Sequence, residues 1–341
     1  MIPVAILLAV LYTSSESTDL SLEEERSLAE LSSAISEIQS ESDSLQIDRA
    51  STEEPSPATA TFWSYYGLDH SVPHFMGTVG SPVASLMTHV YLGDRSRGTV
   101  FFVHGYYDHV GIHGRTLSAL IEAGYTVVAF DLPGHGLSGG ARVSIDDFSQ
   151  YAIALESVLN AVREEVPKPY FFLGHSTGCS VAIEWLRTRG PEPFDRFVFV
   201  APLVRSAYWS LSQIGNAMAG WFTDEVARQP RRDSGDPAFL RFRRLLDPLQ
   251  ESHFPLRWYR SLREWNERLE TASFPAIPLL VIQGENDDIV AWKYNLAWFA
   301  NSFPGCQVER IAGGDHQLLN DLEAIRERAL KSALKSLGSS N

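Results

Sequence analysis

The sequence predicts an α/β fold: a mostly parallel sheet with helices on both faces and a helical insertion capping one edge. Three observations predict it. From residue 61 onward, short runs rich in β-branched and aromatic residues alternate with helical segments. Those runs are apolar on both faces, as strands covered on both sides must be. One long stretch, from Pro202 to about Ala276, breaks the alternation with helical spacings and no visible strand.

In chain order, SLMTHVYL (Ser85 to Leu92) has the alternating character of an edge strand. TVFFVH (Thr99 to His104) and TVVAF (Thr126 to Phe130) flank a helix through Leu117 to Ala123. A long helix follows from about Ile145 to Val166. YFFLG (Tyr170 to Gly174) leads into a helix from Thr177 to Arg187, and RFVFV (Arg196 to Val200) is the next strand. The insertion carries ten arginines between Arg228 and Arg268 and four tryptophans, Trp209, Trp221, Trp258 and Trp265. Its position predicts a cap over the C-terminal edge of the sheet, where open α/β sheets bind ligands. LLVIQG (Leu279 to Gly284), a helix around Trp292 to Phe303, VERI (Val308 to Ile311) and a helix to about Leu337 complete the pattern.

Residues 1–60 read as an N-terminal appendage, and 61–338 as one domain with its cap at about 202–276. Of a net charge of −14, twelve acids against two bases fall before residue 61, so the acidity belongs mainly to the appendage. The rest of the chain lacks the basic excess that a nucleic-acid partner requires. The apolar stretch Ile2 to Tyr12 is similar to a signal-peptide core. No Lys or Arg precedes it, which favours a cytoplasmic start over secretion or membrane tethering. Leu28, Leu31, Ile35 and Ile38 form a short amphipathic seam, and Ser51 to Thr61 reads as a linker. No apolar run reaches the roughly 18 residues of a spanning helix, so any membrane contact is peripheral. Cys179 and Cys306 make no disulfide framework, and no metal-ligand spacing is present.

The strand YFFL breaks into Gly-His-Ser-Thr-Gly, residues 174–178. A strand that turns at once into a helix needs a crowded backbone, and Gly174 and Gly178 remove the Cβ atoms there. Ser176 at the apex projects its hydroxyl above the sheet, where the following helix aims its amides. A G-x-S-x-G spacing alone is a weak signal; the flanking strand and helix give it meaning. A serine nucleophile needs a base oriented by a carboxylate, in the order Ser, acid, His. His316, in IAGGDHQLLND, follows the late strands and is the candidate base. The loop GENDDIV offers Glu285, Asp287 and Asp288, with Asp287 favoured. Oxyanion donors are expected at the amide of Thr177 and, in the loop after TVFFVH, the amide of Tyr106.

Together FFVHGYYDHVGIHGR, VVAFDLPGHGLSGG, GHSTG, GENDDIV and GGDH resemble the α/β-hydrolase superfamily, and more narrowly its monoacylglycerol lipase/lysophospholipase group, the S33 serine aminopeptidase-like hydrolases. The resemblance spans roughly Thr61 to Leu337. It implies an α/β-hydrolase fold and an ester substrate, small or lipidic, with neither metal nor cofactor. It also implies that Asp131 to Gly140 is a structural loop, so that His135 is not the base, and that His104 and His109 shape the oxyanion loop. Tyr106-Tyr107 replaces smaller residues common in the group and predicts a narrower or more polar mouth. The cap's arginines, Arg231 and Arg232 among them, could face a phosphate head group. Two other readings stay open: a small-residue aminopeptidase or amidase, since the elbow serves amides equally well, and a non-catalytic ligand-binding member of the fold.

Overall fold

The computed structural model describes residues 20–41, 43–48, 54–68, 70–93, 97–209, 223–228 and 231–339. The signal-like start and Trp221 lie outside the described residues. The main sheet comprises β1 (His74–Gly80), β2 (Ser85–Tyr91), β3 (Thr99–Val103), β4 (Thr126–Phe130), β5 (Tyr170–His175), β6 (Phe194–Val200), β9 (Leu279–Gly284) and β10 (Gln307–Ile311). Their spatial order is β1-β2-β4-β3-β5-β6-β9-β10. β1 pairs with β2 and β2 with β4 antiparallel; every pairing from β4 to β10 is parallel.

Side-chain alternation splits each central strand between two cores. On one face Phe101, Val103, Val128, Phe130, Phe172 and Val281 pack together. On the other face lie Val100, Phe102, Val127, Ala129, Leu173 and Ile282. This double burial is why these runs read as continuously apolar.

Two expectations at the N-terminal side change. Ser85 to Leu92 is not the edge, because β1 lies outside it. β1 hides in the sequence behind Gly77 and Gly80, and Gly77 has a steric reason. A Cβ there would stand 2.7 Å from the Leu45 Cα, where the chain crosses the strand. That crossing segment hydrogen-bonds the edge: Thr78 N donates to the Asp43 carbonyl at 2.8 Å, and Leu45 N to the Thr78 carbonyl at 2.9 Å. It thereby covers part of an otherwise open strand. Nor is Ser51 to Thr61 all linker, since a helix runs over Pro57–Tyr66. Ser56 caps it by accepting from Thr59 N at 3.2 Å, Pro57 starts it, and Gly67 in the left-handed conformation ends it.

The acidic helix spans Leu22–Glu41 and buries Leu31, Ala34, Ile35 and Ile38 in the same core as Phe62, Tyr66, Met87 and Tyr91. None of the helices among the described residues is long and apolar enough to cross a membrane. The helix after β4 is Ser149–Val162, starting later than its apolar pattern, because the Asp147 carboxylate accepts from Ser149 N at 2.8 Å and sets the start.

The insertion holds two strands after all, β7 (Glu225–Ala227) and β8 (His253–Pro255), paired antiparallel and too short to show a periodicity. Its long helix, Leu256–Leu269, presses Trp258 and Trp265 against the body. Trp265 stacks on Phe148 with centroids 4.7 Å apart, and its indole N–H donates to Glu184 at 3.1 Å. Trp258 donates to the Tyr151 hydroxyl at 3.0 Å. These two tryptophans fasten the cap.

The parallel strands all point the same way, so their C-terminal ends deliver four loops to one edge. These are the loops after β3, β5, β9 and β10, which carry Tyr106, Ser176, Asp287 and His316.

Candidate active site

At the end of β5 the backbone reverses sharply. Ser176 takes φ 50° and ψ −112°, a strained conformation for a residue with a side chain. The flanking glycines are a steric requirement. A Cβ at Gly174 would lie 2.8 Å from the Cys179 amide nitrogen, and one at Gly178 would overlap the Val103 carbonyl. The helix Thr177–Arg189 starts on the next residue, so the Thr177 amide is among the first-turn donors without an intrahelical acceptor.

His316 Nε2 lies 2.9 Å from Ser176 Oγ, and His316 Nδ1 lies 2.8 Å from Asp287 Oδ2. All three residues are buried, Ser176 being 6% exposed. A proton on Nδ1 donates to Asp287 and leaves Nε2 to accept from the serine hydroxyl. Asp287 is itself held: Gln283 Nε2 donates to its Oδ2 at 2.9 Å, and the amides of Ile289 and Val290 donate to Oδ1 at 2.9 and 3.0 Å. Burial opposes ionisation of Asp287, but the His316 ring and these hydrogen bonds outweigh it and hold the carboxyl below its usual range. Burial likewise opposes the His316 cation, and the charge of Asp287 overcomes it, raising the imidazole above its usual value. The other acids of that loop face elsewhere. Glu285 pairs with Arg310 at 3.2 Å, and burial raises the half-exposed Asp288.

The loop after β3 comes close to the elbow. A Cβ at Gly105 would be 3.1 Å from the Ser176 Cβ and 2.9 Å from His175 Nδ1, so only glycine fits there. The Tyr106 ring stacks on Trp258 at 3.9 Å, and its hydroxyl donates to the Val143 carbonyl at 2.6 Å. Tyr107 has φ 67°, and its hydroxyl donates to the His253 carbonyl at 2.9 Å. Both tyrosines thus join this loop to the residues covering it.

The remaining histidines are engaged in structural contacts. Leu132 N donates to His104 Nε2 at 2.9 Å, and His135 Nδ1 donates to the Pro133 carbonyl at 2.9 Å. Asp131 anchors its own loop by accepting from Val110 N and Leu137 N at 2.7 and 2.8 Å. His109 meets Asp247 at 3.0 Å, and Tyr66 donates to the same carboxylate at 2.7 Å.

One residue escaped the sequence reading. Asp108, 1% exposed, receives Gln317 Nε2 at 2.9 Å, lies 3.1 Å from His175 Nδ1 and 3.4 Å from His113 Nε2. His175 Nε2 reaches the His316 carbonyl at 3.2 Å. Burial opposes the Asp108 charge, but the adjacent His113 and His175 rings outweigh it and hold the carboxyl well below its usual range. This buried acid ties the β3 loop, the elbow and the loop carrying His316 and Gln317 together. The only sequence signal was a lone carboxylate between Val103 and Arg115, in a loop otherwise of histidines, tyrosines, glycines and aliphatic residues. Asp108, His113 and His175 bring ligand-type atoms within 4.8 Å of one another, and the contacts just named account for their placement without an ion.

A family model described as "Serine aminopeptidase, S33" matches residues 94–323, which is most of the chain. The chain belongs to this family. Among curated proteins, it is 27% identical over 250 residues to phospholipase YtpA of Bacillus subtilis, covering 70% of this chain and 95% of that one. It is 26% identical over 202 residues to a monoacylglycerol lipase of Mycolicibacterium smegmatis, covering 57% and 71%. Among solved structures, Paleococcus ferrophilus monoacylglycerol lipase superposes with a TM-score of 0.63 at 23% identity, over 74% of this chain and 98% of that one. A soluble variant of monoglyceride lipase from Saccharomyces cerevisiae gives 0.68 at 16% identity, over 79% and 96%. The S33 chain therefore has the α/β-hydrolase fold and falls in the monoacylglycerol lipase/lysophospholipase group.

Proposed function

We propose that this S33 chain is a serine ester hydrolase acting on carboxylic esters of apolar acyl chains, a lysophospholipid or a monoacylglycerol. The carrying observation is the relay from Asp287 through His316 to Ser176, with contacts of 2.8 and 2.9 Å ending on a hydroxyl in a strained turn. Relatives named as a phospholipase and as monoacylglycerol lipases support the ester reading over the peptidase activity in the family's description.

In this reading His316 Nε2 takes the Ser176 proton as Oγ attacks the ester carbonyl. Asp287 fixes the useful tautomer and stabilises the imidazolium that forms. The negative oxygen meets the amides of Thr177 and Tyr106, already positioned by a helix start and a glycine-led loop. His316 then returns the proton to the leaving alcohol, and the acyl group remains on Ser176. Water, giving its proton to the same nitrogen, releases the acid and restores the hydroxyl.

A fluorophosphonate probe tests the nucleophile. The chain is labelled at Ser176, and Ser176→Ala is not. A panel of monoacylglycerols, lysophosphatidylcholine, short p-nitrophenyl esters and aminoacyl amides tests the bond type. Esters turn over faster than amides of matched size; amide turnover exceeding that of every ester would replace this reading with the aminopeptidase.

A further inference from the structure

The cap arginines singled out in the sequence, Arg231 and Arg232, lie exposed, with Arg231 donating to the Asp288 carbonyl at 3.2 Å and Arg232 3.9 Å from Asp315. Arg228 is different. It is half-buried, its guanidinium lies 3.8 Å from the centre of the Tyr107 ring, and it has no carboxylate partner among the described residues. Its Nη1 donates to Gln250 Oε1 at 3.0 Å and to the Glu251 carbonyl at 3.2 Å, while Gln250 Nε2 donates to the Tyr107 carbonyl at 3.1 Å. The group is therefore locked to the loop that approaches Ser176. Nε and Nη2, the edge of the guanidinium with two parallel N–H groups, have no hydrogen-bond partner among the described residues.

The acids that could balance this cation are engaged elsewhere. Asp233 pairs with the buried Arg243, Asp108 holds the histidine cluster and Gln317, and Glu251 pairs with Arg142 and His253. Burial, and then repulsion from Arg243, pulls the Arg228 cation below its usual range. A half-buried charge left without its counter-charge is costly, and such a cost persists where a ligand relieves it. The vacant edge has the fork geometry that grips two oxygens of one phosphate.

We propose that the Nε–Nη2 edge of Arg228 binds a phosphate on the alcohol side of the substrate, selecting lysophospholipids over uncharged monoacylglycerols. This rests on the serine ester hydrolase reading. It assigns the head group to one side chain next to the β3 loop, with Tyr107 and Gln250 as its positioning partners.

The test compares kcat/KM for a monomeric acylglycerol phosphate and an acylglycerol of the same acyl chain. The unmodified chain favours the phosphate ester by about tenfold or more, the effect of one charge-assisted hydrogen bond. Arg228→Gln brings the ratio near one, and Arg228→Lys, keeping charge without the fork, falls between. A ratio unchanged by Arg228→Gln, with Ser176 still labelled by fluorophosphonate, overturns the assignment alone. Absence of both labelling and ester turnover overturns the hydrolase reading and this one with it. Inorganic phosphate provides the remaining arm. Its competition against the uncharged ester weakens in Arg228→Gln if the edge serves the substrate's phosphate. Inhibition that depends on Arg228, without any preference between the two esters, would mark a free-anion site and overturn the substrate role.

Discussion

Two buried carboxylate–imidazole pairs stand side by side, with the rings of His316 and His175 centred 5.1 Å apart. In one, Asp287 holds Nδ1 of His316 and Nε2 meets the Ser176 hydroxyl. In the other, Asp108 holds Nδ1 of His175 and Nε2 meets a backbone carbonyl, that of His316 itself. A hydroxyl both gives and takes a proton, whereas a carbonyl only accepts one. An aspartate beside a histidine is thus no catalytic signature by itself; the group at the far nitrogen decides its use. The first pair is suited to moving a proton. The second braces the loop that carries the first.

Breaking the first pair gives the largest expected effect. Asp287→Asn keeps the shape but destroys the preference for the useful tautomer, so kcat falls by about 10⁴, measured on a p-nitrophenyl ester. Breaking the second pair displaces His316 without removing it. Asp108→Asn lowers kcat by about 10², the scale of a small misplacement, and Ser176 still labels, more slowly. Thermal unfolding of the same variant checks that the fold persists. An Asp108→Asn loss as deep as that of Asp287→Asn would abolish the distinction between the two pairs.

The smallest and sharpest test is the pH profile. In the proposed mechanism His316 must be neutral, and although burial opposes its cation, Asp287 raises its pKa above the usual value. Activity is therefore lost as the pH falls through a value above about 6.5, read from kcat/KM of the free enzyme. Asp287→Asn removes the attraction and leaves burial, so the acid limb moves to lower pH in the residual activity. Asp108→Asn moves it less, since Asp108 comes after Asp287 among the charges acting on the ring. A limb that stays in place in Asp287→Asn would remove the coupling on which the comparison stands.

The sheet was legible because its central strands are buried on both faces and so leave unbroken apolar runs, such as Val100 to Val103. β1 was not, because its glycine answers to a segment that crosses it from thirty-odd residues earlier. β7 and β8, three residues each, carry no period to read. The helix at Pro57 was announced only by the Ser-Pro pair, which a linker also favours.

By itself the amino-acid order determined the elbow around Ser176, since its requirements are local: a strand, two positions without Cβ and a helix start within a few residues. It also set the sequence of serine, acid and histidine loops. The tertiary structure decided which acid of 285, 287 and 288 meets His316, what Asp108 braces, and that Arg228 stacks on Tyr107. Those answers depend on hydrogen-bond direction and burial between segments far apart, as in Asp108 and His175 at 67 residues or Ser176 and His316 at 140. Composition and spacing carry no record of which way a side chain turns once such segments meet.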